Sequence, residues 1–525
     1  MGSREAAASG SASQTTIALL LLALSLALLT LWRSFPFAFY SPDGSFHAAK
    51  LLRASEGDPF RDPFSGTPSL YPAAFHWSYG TLNRVLRLDP LPLYRLAGVL
   101  NFSLLFAAFF ACARSALGHT GKAAVATLLL PLLFYAPTGR HILVVNPANF
   151  ALPILLFGAA ALLASLGGSR RTGLLGLAAL SLAANAVWYL GLPALACVIG
   201  YALVVRPEQR PVWWKALAAL VLPGLVTVAQ FLAIRDVLGD YTGFVSGEWG
   251  RQGGGALDAG LVRDWLEALV TKGNTRFLPA LERSLLQRVH YDAVLVFAAA
   301  VGAGVVGRAR EIRREPAALR FLLLSAVLTL FFSLGLAITR DFPRVVSVQF
   351  VAWVLFAFAA LRAAWLWESR GGHALLALFA ALGIVGLAAT VRHTGRPFEA
   401  APPAPTRAVV ALIAALPDHA GQRIFVSEAH LRELAPFVTF ESFVNHGDGR
   451  YYAQDPKSSA RLLAAYRTIR DRSEGWREAL HAEGVRYLIF HHRDGGAESE
   501  AGLFYLGQGS AVLQNPEWWV VEMTP

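Results

Sequence analysis

The chain turns polar at AFYSPDGSFH (Ala38–His47), directly after its first long apolar run. The polar segment continues through DPFRDP (Asp58–Pro63) and LYPAAFHW (Leu70–Trp77), and it ends at Pro92, just before the next apolar run. Carboxylates, histidines, aromatic residues and prolines are all frequent in it. Because segments long enough to cross a membrane flank it on both sides, we expect residues 38–92 to lie at a membrane surface, where they could handle a polar substrate.

The composition excludes an ordinary soluble protein. Of the 525 residues, 55% are hydrophobic and only 15% are charged, whereas soluble domains carry about 25% charged residues. The mean hydropathy is +0.46. Apolar runs of roughly 20 residues, the length that crosses a bilayer as a helix, recur along the chain. We therefore predict a mainly α fold, a polytopic bundle of transmembrane helices.

Windows of apolar residues predict about eleven transmembrane spans. The first span could instead be a cleaved signal peptide, but no clear small-residue cleavage site precedes Arg33. The predicted spans are 15–33, 93–113, 122–137, 148–167, 172–187, 189–205, 215–234, 291–307, 319–338, 345–366 and 373–391.

The arginines and lysines of the short loops set the orientation, because cytoplasmic loops carry an excess of these residues. With the amino terminus inside, the outer face receives residues 38–92, residues 235–290 and everything after Arg392. The inner loops then explain much of the net charge of +11, and no nucleic acid is predicted as a partner. Frequent Ala, Leu, Arg and Gly indicate a GC-rich bacterial genome, so the predicted location is a bacterial inner membrane, crossed many times.

The composition changes after Arg392, and it divides the chain into three parts. Residues 1–391 form the predicted transmembrane domain, with outer loops 38–92 and 235–290; residues 392–406 form a proline-rich linker. Residues 407–525 form a small C-terminal extracytoplasmic α/β domain, because predicted strands alternate with predicted helices. The predicted strands are Arg423–Ser427 and Arg486–Phe490, and the predicted helices are Val409–Leu416, Ser458–Ile469 and Trp476–Ala482.

Asp43 is the candidate for chemistry in the first outer loop. It opens a predicted helix that continues through Arg53, so it could act as the helix N-cap. It could equally act as a general base, since it lies close to the membrane, where a lipid-linked substrate presents its headgroup. His47 follows one helical turn later and can face the same way, which makes it a candidate substrate-binding residue.

Two further carboxylates, Asp58 and Asp62, are also four residues apart. Pro59 and Pro63 favour turns at this point, so a solvated turn is one interpretation. The other is oxygen ligation of a divalent cation or of substrate. No spacing in the chain is diagnostic of a metal, and Cys112 and Cys197 fall in apolar runs, so no metal site or disulfide is predicted and the cofactor is left unknown.

Cations occur at two short outer turns. Arg340 and Arg344, in RDFPR, could anchor helix ends, or they could clamp a phosphate group, for which the guanidinium geometry is suited. Arg140 and His141, on another outer turn, are candidates for the same pocket.

Glu248 and His76 complete the candidate substrate-binding residues. Glu248 precedes a glycine run in the loop 235–290, which could close over a substrate or serve as a slack connector. His76 lies between Tyr71 and Trp77 in the sequence, where aromatic residues could anchor the chain at the membrane interface or stack on sugar rings. The sequence contains no P-loop, GxSxG, HExxH or dinucleotide-binding motif.

The arrangement resembles the GT-C superfamily of integral-membrane glycosyltransferases. One span precedes a large outer loop with an early acidic residue, in SPDGSFH (Ser41–His47), and YPAAFH (Tyr71–His76) leads towards the second span. Many spans and an outer C-terminal domain follow. The resemblance implies an enzyme that uses a polyprenyl-phosphate sugar, with Asp43 as the acidic residue of the first outer loop.

The resemblance further implies an inverting transfer. Asp43 would accept the proton of an acceptor hydroxyl as that oxygen attacks the anomeric carbon, and Arg340 or Arg344 would neutralise the leaving phosphate. The implied partners are the lipid-linked donor, membrane lipid, and an unknown glycan, lipid or protein acceptor. A lipid-linked glycan polymerase or ligase is the nearest alternative, and a transporter or a non-enzymatic scaffold are the others.

Overall fold

A computed structural model describes a large part of the chain and shows a mainly helical protein with one small sheet. The described residues are 42–67, 69, 73–128, 145–166, 170–186, 190–204, 225, 317–338, 342–363, 367, 370–374, 376–378, 381, 402–443, 456–492 and 496–523. They belong to two compact units. One contains residues 1–35, 98–228 and 251–396, and the other contains residues 36–97, 229–250 and 397–525.

Helices account for most of the described residues, in agreement with the predicted mainly α class. They are α1 (Pro42–Glu56), α2 (Ala74–Leu86), α3 (Pro90–Leu117), α4 (Thr120–Leu128), α5 (Pro147–Ser165), α6 (Arg170–Ala186), α7 (Gly191–Val204), α8 (Ala317–Ile338), α9 (Phe342–Ala363), α10 (Ala404–Ala414), α11 (Glu428–Leu434), α12 (Pro456–Arg470), α13 (Trp476–Ala482) and α14 (Gly496–Leu506). The strands are β1 (Ile424–Val426), β2 (Tyr487–His491), β3 (Ser510–Gln514) and β4 (Trp518–Glu522).

The first unit is built from apolar helices. Among the described residues, α3 is the one helix that is both long and apolar enough to cross a membrane, and α5 to α9 contain shorter apolar helices. Small residues let these helices approach closely, as is usual between membrane helices. A Cβ on Gly176 of α6 would lie 2.7 Å from the carbonyl oxygen of Gly158 in α5, and one on Gly200 of α7 would lie 2.4 Å from Ser325 Oγ in α8.

Six of the predicted spans coincide with helices α3 and α5 to α9. Predicted spans 15–33, 215–234 and 291–307 fall wholly or almost wholly outside the described residues, and spans 122–137 and 373–391 are described only in part, so the number of spans stays a prediction. The predicted outer loop 235–290 also lies outside the described residues.

The second unit contains a four-stranded sheet in the order β1-β2-β4-β3. β1 and β2 are parallel, whereas β4 is antiparallel to both β2 and β3. β1 and β2 lie at the two predicted strands, and α10, α12 and α13 lie at the three predicted helices. No sequence pattern predicted α2, α11, α14, β3 or β4.

The apolar core of the second unit joins residues that are far apart in sequence. Phe46 and Phe64, both fully buried, belong to the same cluster as β1, β2 and β4. In the sequence these residues lie in the loop 38–92, between two predicted spans. In the structure they pack with residues 402–523, so the loop 38–92 and the C-terminal residues share one core.

Candidate active site

Helix α1 contains the candidate general base. It begins at Pro42, a favourable first residue because proline has no amide hydrogen to leave unpaired there. Asp43 therefore lies in the first helical turn, where the helix dipole favours a carboxylate. For this residue the structure describes the helix position only. The spacing of 43, 47 and 50 puts their Cα atoms on one face of the helix.

Two predicted substrate-binding residues, His47 and His76, are in direct contact. His47 Nδ1 and His76 Nε2 are 3.1 Å apart, and the two rings stack with centroids 5.3 Å apart. Both side chains are buried, and Phe75 packs edge-on against each of them. Since a hydrogen bond between two ring nitrogens needs one donor and one acceptor, at least one of these nitrogens is unprotonated. The contact joins α1 to α2.

Lys50 is a buried cation that the sequence analysis missed. Its side chain is fully buried, and its Nζ donates a hydrogen bond of 3.0 Å to the carbonyl oxygen of Arg61. Burial lowers the pKa of Lys50 to about 8, and the carboxylate of Asp62 acts in the opposite direction. The i, i+3 spacing from His47 was the available signal, but sequence alone does not tell a buried lysine from a solvated one.

Asp58 and Asp62 lie in the turn that the two prolines predicted. Asp62 is buried rather than solvated, and its Oδ1 accepts hydrogen bonds from Phe64 N at 3.0 Å, Ser65 N at 2.8 Å and Ser65 Oγ at 3.0 Å. Asp58 forms a half-exposed ion pair with Arg61 at 3.0 Å. In these positions the carboxylates stabilise the turn. Among the described residues, no group of three or more His, Cys, Asp or Glu side chains is arranged to hold a metal ion.

The structure describes little or nothing of the remaining candidate substrate-binding residues. Arg344 lies in the first turn of α9, and only its helix position is described. Arg140, His141, Glu248 and Arg340 lie outside the described residues. Their assignment to substrate binding stays a prediction.

Residues 439–442, which we call the docking segment, hold the loop 38–92. Each of its four residues contacts a different residue of that loop. Thr439 Oγ1 donates to Glu56 Oε1 at 2.8 Å, Phe440 O accepts from Arg53 Nη2 at 3.1 Å, Glu441 Oε1 is 3.7 Å from Arg61 Nη1, and Ser442 N donates to Phe64 O at 2.5 Å. No pattern in the sequence predicted these contacts, since the partners in the two hydrogen bonds of Thr439 and Phe440 are 383 and 387 residues apart.

Ion pairs continue from the docking segment into the C-terminal residues. Glu441 Oε2 accepts from Arg423 at 2.9 Å, and Arg423 also donates to Glu483 at 2.7 Å. The Arg423 and Glu483 side chains are largely buried. Because a buried charge is costly without a partner, this chain of ion pairs fixes how residues 441, 423 and 483 lie against each other.

The chain was compared with known proteins. No protein-family model matches it, and no curated protein sequence matches it. Solved structures do match. ArnT from Cupriavidus metallidurans, bound to undecaprenyl phosphate, aligns with a TM-score of 0.54 and 14% identity over 98% of this chain and 99% of ArnT.

Two further solved structures also align with most of this chain. The mycobacterial arabinofuranosyltransferase AftD aligns with a TM-score of 0.57 and 15% identity, over 97% of this chain but only 40% of AftD. The Archaeoglobus fulgidus oligosaccharyltransferase aligns with a TM-score of 0.53 and 11% identity, over 91% of this chain and 69% of the enzyme. At such identities the likeness establishes the fold. All three neighbours are GT-C glycosyltransferases, and this chain has the GT-C glycosyltransferase fold that its sequence resemblance predicted.

Proposed function

We propose that this chain is a membrane glycosyltransferase that moves a sugar from a polyprenyl-phosphate donor to an acceptor hydroxyl, with inversion, on the extracytoplasmic face. The GT-C fold supports the reaction class, and one neighbour of that fold was crystallised with undecaprenyl phosphate. The most direct support within the chain is Asp43, in the first turn of a helix whose other end is held by buried contacts.

In the proposed reaction, Asp43 accepts the proton of the acceptor hydroxyl while that oxygen attacks the anomeric carbon. The bond between this carbon and the donor phosphate breaks on the opposite face, so the configuration inverts and polyprenyl phosphate leaves with the bonding electrons. The leaving phosphate gains negative charge, and a guanidinium such as that of Arg344 or Arg340 would stabilise it in a site that excludes water. The proton remains on Asp43 until the product departs.

The proposed reaction also determines where the enzyme and Asp43 should lie relative to the membrane. A polyprenyl donor stays in the membrane through its lipid tail, so the enzyme must be an integral membrane protein with Asp43 near the lipid surface. The C-terminal residues 407–525 are proposed to lie on the same side as Asp43. The acceptor is a glycan, a lipid or a protein with a free hydroxyl.

Replacement of the proposed base tests the reaction. In full-length protein reconstituted with an undecaprenyl-phosphate sugar and candidate acceptors, Asp43→Asn should lower the transfer rate by about 10²- to 10⁴-fold, because general-base catalysis contributes that much. Asp89→Asn is the matched control, since Asp89 is an exposed carboxylate of the same loop. Equal folding of both variants, with loss of transfer in Asp43→Asn alone, is the expected result. Full activity of Asp43→Asn would exclude Asp43 from the mechanism.

A further inference from the structure

We propose that the docking segment, residues 439–442, positions the candidate catalytic helix α1, and that Arg53 is the positioning residue through which it acts. The part of this inference that concerns catalysis rests on the proposed function of Asp43. The part that concerns the order of the loop does not.

The contact at Arg53 is the strongest link between α1 and the docking segment. The Arg53 side chain is 4% exposed. One of its Nη atoms donates to Phe440 O at 3.1 Å and to Ala420 O at 3.4 Å. A buried guanidinium is costly unless its donors are used, and a charged donor makes a stronger hydrogen bond than a neutral one. Removing this side chain therefore removes the buried polar anchor of the C-terminal end of α1.

A second set of contacts fixes the turn that follows α1. Ser442 N donates to Phe64 O at 2.5 Å. Gly66 has a φ of +70° and lies so close to Glu441 that a Cβ would be 2.2 Å from Oε1. Lys50 then ties this turn back to α1 through the carbonyl oxygen of Arg61. The docking segment thus holds α1 both directly and through the turn.

The helix transmits this constraint to Asp43. Asp43 and Arg53 are ten residues apart, or about 15 Å along a helix that rises 1.5 Å per residue. A helix is stiff over this length, so tilting or rotating α1 at Arg53 displaces Asp43. Because misplacing a catalytic group by about 1 Å can lower a rate by about 100-fold, the contact at Arg53 should influence the reaction without touching substrate.

The experiment compares three arginine variants of the full-length protein in lipid nanodiscs. Arg53→Met removes the anchor, and Arg53→Lys keeps the charge but can reach fewer acceptors. Arg84→Met is the matched control: Arg84 also donates to main-chain carbonyls of α1, those of Ser55 at 3.2 Å and Ala54 at 3.3 Å, but it is exposed and belongs to the same loop. Amide hydrogen exchange of residues 42–67 and the kcat and KM of transfer are measured for each variant.

We expect Arg53→Met to speed exchange across residues 42–67 by about 10- to 100-fold, as loss of a hydrogen bond to a charged group predicts. The kcat should fall at least about 10-fold with the donor KM nearly unchanged, and Arg53→Lys should restore part of both. If exchange and kcat change no more than in Arg84→Met, the inference is wrong. It is also wrong if exchange rises while kcat stays constant in an active enzyme.

Two outcomes of this experiment require a different measurement or a different variant. If the wild type transfers no sugar, the proposed function fails, and the exchange measurement still decides whether Arg53 orders the loop. If Arg53→Met does not fold, Thr439→Val replaces it, because this change removes only the 2.8 Å hydrogen bond to Glu56. Thr439→Val should speed exchange at the end of α1 by about 3- to 10-fold, as for a single lost hydrogen bond. Unchanged exchange in that variant would contradict the proposal.

Discussion

At the scale of single residues, the loop 38–92 is notable for its buried charge. Lys50 is fully buried in α1, three residues after His47, and its ammonium faces the carbonyl oxygen of Arg61. Burial penalises the charged form of the amine, which is why its pKa is lowered to about 8. A loop that buries a lysine and a histidine pair beside a candidate base holds its polar groups in fixed positions, as a catalytic site requires.

The stability of this loop should depend on pH through Lys50. Its pKa is about 8 in the folded protein and about 10.4 in an unfolded chain, so between these values the unfolded chain binds more protons and stability rises with pH. We expect the contribution of Lys50 to rise by about 2 kcal/mol between pH 7.5 and 9.5. Denaturation of wild type and Lys50→Met at both pH values measures it, because other titrating groups cancel in the difference. An equal pH dependence in the two proteins would contradict the prediction.

The sequence identified part of the candidate site at this scale. The helical spacing from Asp43 singled out His47, but no sequence pattern predicted that His47 contacts His76, and substrate binding by the two histidines stays a prediction. Lys50 was missed because its burial depends on a turn more than ten residues away. The solvated turn, one of two interpretations of Asp62 from the sequence, is wrong because the donors to its carboxylate, the amides of Phe64 and Ser65, come into place only when the turn folds.

At the scale of elements, α2 shows why some helices escape a periodicity analysis. Its buried residues include His76, Tyr79, Gly80 and Asn83, which follow helical spacing. Of the five buried residues of α2, only Phe75 and Tyr79 have large hydrophobic side chains, so a search for hydrophobic periodicity does not detect the inner face. β3 was missed for the opposite reason: most of its residues are exposed, and no alternation of apolar and polar residues marks it. Long apolar helices such as α3 and α8 were the most predictable.

The crossing of α1 and α2 depends on Gly80. A Cβ at this position would lie 2.6 Å from the carbonyl carbon of Ala54 and 2.8 Å from its Cβ. Alanine favours a helix over glycine by about 1 kcal/mol. However, the atoms that an added Cβ would meet belong to the backbone and Cβ of Ala54 in α1, so the whole helix would have to move to make room. We expect Gly80→Ala to destabilise the second unit by about 1–3 kcal/mol, the usual range for overpacking.

Thr81→Ala is the control for this prediction, because Thr81 is the exposed neighbour on the same helix. It should leave stability unchanged or raise it slightly, since alanine favours the helix. Thermal denaturation of the full-length variants gives the comparison. If Gly80→Ala were as stable as Thr81→Ala, close packing would not be the reason for glycine at this crossing.

At the scale of the whole molecule, contacts between distant parts of the sequence decide how the second unit is assembled. Arg53 and Phe440 are 387 residues apart, yet they share a buried hydrogen bond. The sequence predicted a helix at residue 43 and strands near residues 424 and 487, but it could not show that they share a core. Local patterns report which face of an element is apolar, and they do not report what covers that face.

Glu441 links the loop 38–92 to the interior of the C-terminal residues through two ion pairs. One carboxylate oxygen faces Arg61 and the other accepts from Arg423, and the Glu441 side chain is only 14% exposed. Glu441→Gln keeps the shape of the side chain and removes the charge that both arginines share. Because breaking a largely buried ion pair leaves an uncompensated charge, we expect a loss of about 1–4 kcal/mol that is insensitive to salt.

The more exposed pair of Arg486 and Glu522 is the matched control, because it joins the residue before β2 to strand β4 without reaching the loop 38–92. Glu522→Gln should cost about 0–1 kcal/mol. Limited proteolysis and thermal denaturation of the full-length variants, at low and high salt, separate the two cases. Glu441→Gln should make residues 58–67 and residues 423–441 protease-sensitive together. Sensitivity confined to residues 423–441 would mean that the loop is held by its other contacts, and that Glu441 does not couple the two parts of the unit.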